Sequence, residues 1–110
     1  MTAVHWVDEP ESNFVALLVV DEESGDTIEV QRAYEFDEQD RELGMDTYCL
    51  VRGGANYYGG LIAYELSDLS LSLSLTEGAA EVLELPESFE IPLDPASIAL
   101  LRLRLPGLVG

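Results

Sequence analysis

Lysine does not occur among the 110 residues, and the only fixed cations are five arginines: Arg32, Arg41, Arg52, Arg102 and Arg104. That absence removes the phosphate-loop lysine and any lysine Schiff base. Cysteine occurs once, at Cys49, so no internal disulfide can form. Histidine also occurs once, at His5. One thiol and one imidazole cannot complete a zinc site, and neither sits beside the partners that a nucleophilic triad needs. Cys49 lies between Tyr48 and Leu50 and reads as a buried, inert thiol. The longest apolar run, Phe14 to Val20, falls far short of the roughly 20 residues that cross a bilayer as a helix. No basic segment followed by an apolar stretch opens the chain, so no secretory signal is read and the cytoplasm is the expected location.

What is abundant is negative charge. There are 22 acidic residues against five arginines, a formal net charge of −17. A field of this sign repels DNA, RNA and anionic lipid, and it steers basic proteins toward the surface. The same charge also serves as a solvated coat for solubility. The apolar fraction, 47%, is that of a globular chain, not a disordered one. Residues 1–110 are read as one domain, long enough to bury roughly two-thirds of its unfolded surface.

Along the chain, Val4 to Val7 suggests a first strand, and Phe14 to Val20 a buried one. Asp21 to Asp26 ends in Ser-Gly-Asp, a turn signal, and Thr27 to Phe36 alternates, so the two runs predict a β-hairpin. Asp37 is placed to cap a short helix that Gly44 ends. Thr47 to Arg52 and Tyr57 to Ser67 are strand candidates, the second interrupted by Gly59-Gly60. Leu69 to Leu75 alternates Leu-Ser throughout, which predicts leucines inward and serines outward. Thr76 caps a helix through Glu84, and Phe89 to Leu93 forms a further strand. Asp94-Pro95 is a helix start, and Ile98, Leu101, Leu105 and Leu108 then form one helical stripe. Leu101 to Leu105 also alternates like a strand; the start signal and the arginines near the helix end favour helix. Leu100 and Leu103 fall off the stripe, which suggests either simple exposed leucines or part of a homodimer contact. The sum is an α+β fold: a single, largely antiparallel sheet of about six strands with one or two helices, including one at the C-terminus.

No catalytic residue, metal ligand or cofactor site emerges. Asp21 to Glu29 looks like a calcium loop, but its glycine falls one place early and no flanking helices are predicted. Gly53-Gly54 and Gly59-Gly60 match neither the phosphate loop nor the dinucleotide fingerprint. Paired carboxylates could support a hydrolase, yet 22 acids must form some pairs by chance. Two features suit protein recognition instead. Glu35 to Glu42 holds five acids in eight residues, and Tyr48, Tyr57 and Tyr58 gather near a glycine-rich turn.

The stretch from Gln31 through Arg32, Tyr34, Phe36 and Gly44 to Cys49 resembles the signature of immunity protein family ten of bacterial polymorphic toxin systems. Tyr58-Gly-Gly60 followed by Glu65-Leu66 is similar to that family's second block. Leu85-Pro86 through Ile91-Pro-Leu-Asp94, with a terminal helix, is similar to its closing pattern. The resemblance spans about Gln31 to Arg104. It implies a cytoplasmic, non-enzymatic antidote, encoded beside a secreted toxin that it binds and blocks. The expected partner is a cognate toxin with a basic surface, a nuclease being the class that such a surface suits. Nucleic acid and membrane are not expected partners. The candidate toxin-facing residues are Asp37, Glu38, Asp40 and Glu42, with Tyr57 and Tyr58 as anchors. The competing expectation is an acidic homo-oligomer without a toxin partner.

Overall fold

Strand-forming residues open the chain: Thr2–Glu9 (β1) runs antiparallel to Phe14–Asp21 (β2), joined through a 3-10 turn at Pro10–Ser12. The computed structural model describes residues 2–109. β2 pairs with Thr27–Ala33 (β3) as the predicted hairpin, Leu17 facing Val30 and Leu18 facing Glu29. Asp21 and Ser24 accept from backbone N–H groups inside the hairpin turn, and Gly25 takes a φ of +77° there. Cys49–Arg52 (β4) and Ala55–Tyr58 (β5) complete a five-stranded antiparallel meander in the order β1-β2-β3-β4-β5. Leu61–Leu66 (β6), Ser70–Leu75 (β7) and Ser88–Pro92 (β8) form a second, three-stranded antiparallel sheet. Among the described residues three α-helices accompany the sheets: Glu38–Glu42 (α1), Glu77–Leu83 (α2) and Pro95–Val109 (α3).

The expectation of a single six-stranded sheet is therefore corrected: the described residues form two sheets, of five and three strands. The cause is the glycine pair. Gly59 and Gly60 do not interrupt one strand from Tyr57 to Ser67; they end β5 in the first sheet and start β6 in the second. Both adopt positive φ, +71° and +90°, which turns the chain out of the first sheet. The buried Tyr48 hydroxyl holds the crossing by accepting from Leu61 N–H at 3.0 Å.

The two inner faces meet around the helices. Leu17 and Val19 of the first sheet pack in one cluster with Leu71 of the second and with Ile98, Leu101, Leu105 and Leu108 of α3. Burying each such leucine contributes about 1.5–3 kcal/mol. Residues 96–105 are thus helical, and the helical stripe is the buried one. A second cluster sets Leu75 with Tyr48, Leu50 and the α2 residues Ala79, Ala80 and Leu83. In β7 the alternation holds for Leu71 and Leu75, each 2% exposed, but Leu69 precedes the strand and is exposed, which corrects the expectation that it faces inward. Arg102 and Arg104 do not serve the last turn of α3. Arg104 lies over the Trp6 ring at 4.7 Å, and Arg102 sits 3.8 Å from Asp68.

Candidate partner-binding surface

The acidic run folds as a link between β3 and β4. Asp37 caps α1 by accepting from Asp40 N–H at 2.7 Å, and the Asp40 carboxylate accepts from Asp37 N–H at 3.0 Å. This reciprocal box compensates for a helix of five residues, too short to persist on propensity alone. Two of the four candidate acids are therefore engaged with backbone. Glu38 and Glu42 are exposed, and Asp40 is half-buried.

The two candidate tyrosines part company, because consecutive strand residues point to opposite faces. Tyr57 turns inward and packs with the α2 cluster, its ring close against Gly60 and Gly78. Tyr58 turns outward and is 40% exposed. Its hydroxyl pKa is raised, first by partial burial and then by Cys49 and Asp40 nearby. Tyr58 and Asp40 line one cavity of about 150 Å³ together with Phe14, Gln31, Arg32 and Phe36, and Arg32 lies over the Phe36 ring at 5.7 Å. The structure thus brings α1 and Tyr58 together at one end of the outer face of the five-stranded sheet, and leaves Tyr57 and the buried Tyr48 in the core.

The rest of that outer face is bare. Both α2 and α3 pack on the inner side. Toward the β2–β3 turn the outer face carries an open depression of about 400 Å³, lined by Leu18, Thr27, Glu29 and Val51 with the turn residues Gly25, Asp26 and Gly53. Glu29 stands on the central strand, opposite Leu18 on one side and Val51 on the other. The Gln31 side-chain amide donates to its carboxylate. No strand places an arginine here. Arg32 and Arg52 point inward, where Arg32 donates to the Leu108 carbonyl and Arg52 to Asp26 and the carbonyls of Leu83 and Glu84. Sequence reasoning missed Leu18, Glu29 and Val51. The run from Phe14 to Val20 reads as a strand buried on both sides, whereas Leu18 and Val20 are only half-buried. The usable signal is a charged residue, Glu29, in register with that apolar run.

A family model described as Immunity protein 10 matches residues 1–99. The chain belongs to the immunity protein 10 family. The match takes in the first thirty residues, beyond the stretch on which the sequence resemblance rests. No curated protein and no solved structure matches the chain significantly.

In this immunity protein 10 chain the reactive side chains are placed as follows. Cys49 is 8% exposed, and burial pushes its thiol pKa up, so the sulfur stays protonated. His5 is exposed on β1, across from Leu18. Among the described residues no three His, Cys, Asp or Glu side chains gather as a metal site would require. The interior void between the sheets is about 30 Å³ and lined by apolar side chains such as Leu17, Val30, Leu71 and Leu101. No helix among the described residues is long and apolar enough to cross a membrane.

Proposed function

We propose that this chain is an antidote that binds a cognate bacterial toxin through an acidic surface and blocks it without turning over a substrate. Family membership supplies the class, and one observation carries the mode: Arg32 and Arg52 of the first sheet donate inward, so Glu29 is the charged side chain on the outer face of the middle strand, and in α1 three acids, Glu38, Asp40 and Glu42, outnumber Arg41. A toxin that cuts nucleic acid needs a basic cleft for phosphates. Carboxylates presented on a rigid surface compete for that cleft and speed the encounter. Glu38 and Glu42 are the exposed acids of α1, and Tyr58 offers a broad ring at low entropic cost beside them.

Co-expression with the neighbouring open reading frame tests the role directly. The antidote restores growth against that gene product and forms a complex with it. Glu38→Lys with Glu42→Lys, which spares the Asp37–Asp40 cap, slows association about tenfold or more at low salt, and the gap narrows as salt is added. A complex that forms at unchanged rate removes α1 from the toxin-facing surface.

The homo-oligomer reading has less support. Leu100 is half-buried against the α3 cluster, so only Leu103, 69% exposed, remains of the proposed leucine contact. A clean monomer in sedimentation at high concentration ends that alternative.

A further inference from the structure

The depression at the β2–β3 end of the outer face differs in kind from the acidic α1. It combines apolar side chains with one half-buried carboxylate on the middle strand of five. Glu29 accepts from a neutral amide, Gln31, and among the described residues has no cationic partner. Leu18 and Val51 flank it across the two neighbouring strands. A carboxylate so placed keeps part of its hydration only while the face stays open to water. Any protein that covers Leu18 and Val51 dehydrates it. A cover that lacks a cation pays for burying an unpaired charge, whereas a lysine or arginine pairs with it in a dry surround, where the attraction is strong.

We infer that Glu29, set between Leu18 and Val51, is the anchor point for a basic side chain of the toxin, whose adjoining apolar residues fill the depression. This rests on the antidote reading and names the site within it. Charge selects the occupant. A second copy would bring another −17 and another glutamate against Glu29. A basic protein brings the sign that both the depression and α1, at the opposite end of the same face, ask for. The arrangement also divides the labour: exposed Glu38 and Glu42 act at long range on the rate of approach, and Glu29 acts at contact on the lifetime of the complex.

The test uses the full chain and the purified product of the neighbouring gene, rendered inactive in its own catalytic site. Glu29→Gln keeps the shape of the side chain and a group for Gln31 to bond. It weakens binding about tenfold or more, mainly through faster dissociation, while the thermal midpoint of the free chain stays close to that of the parent. Leu18→Thr weakens binding about threefold or more for loss of apolar contact. Ser72→Gln, on the outer face of the other sheet, changes binding less than about twofold. If the parent chain binds and E29Q binds equally well, the site assignment is overturned and the antidote role stands. If the parent chain fails to bind or neutralise the toxin, the antidote role falls and the assignment with it. If E29Q instead shifts the free chain between monomer and dimer in sedimentation, the occupant is a second copy, and the assignment is again overturned.

Discussion

Gly60 shows how much can hang on one hydrogen atom. At φ +90° a Cβ would sit 2.6 Å from the Ala79 Cβ and 2.8 Å from the Tyr57 ring, on backbone that L-residues rarely adopt. Gly60→Ala combines left-handed strain with overpacking and is expected to cost about 2–4 kcal/mol. Urea denaturation checks it: the midpoint falls and the slope holds. Gly54→Ala is the matched control, since nothing lies within 4 Å of a Cβ there. It should stay within about 1 kcal/mol of the parent. At this scale the sequence was a partial guide. It marked the tyrosines near the glycine turn, but one of the neighbours Tyr57 and Tyr58 had to face inward, and only the register with Leu50 and Cys49 decides which.

For the elements, alternation and caps were the readable part. The Leu-Ser run of β7, the Asp37, Thr76 and Asp94 caps and the buried stripe of α3 all follow from local spacing. The split into two sheets was not readable, because a glycine pair inside an apolar run looks the same whether the strand bulges or leaves its sheet. The cap of α3 carries a pH signature. Ser97, by side chain and then by backbone N–H, holds the Asp94 carboxyl below its ordinary value of 3.8. A depressed folded-state pKa stabilises above the unfolded value and ceases to do so as pH falls through the folded one. Asp94→Ala should therefore lower the melting temperature by a few degrees at pH 7, with the deficit shrinking below about pH 4 as the parent loses the same contribution. A deficit that persists undiminished into strong acid would falsify the assignment of the cap as ionic.

The whole molecule is dominated by like charge. The net charge of −17 works against compaction through self-repulsion, and the exposed ion pairs Arg52–Asp26 and Arg102–Asp68 offset little of it. Raising salt from about 10 mM to about 0.3 M at pH 7 shortens the screening length several-fold and should raise the melting temperature. A fall instead would mean that attractive pairs outweigh repulsion. Charge was the one global property the sequence displayed openly; its placement was not, since the strand parity of Arg32 and Arg52 sets both opposite Glu29 and keeps them out of the depression. That same parity puts Trp6 on the inner side, beneath Arg104 of α3. As the chain's sole indole it is a built-in optical gauge. Its emission follows the undocking of the terminal helix and is blind to whatever settles on the far side of the sheet, so melting and capture can be watched apart in one cuvette.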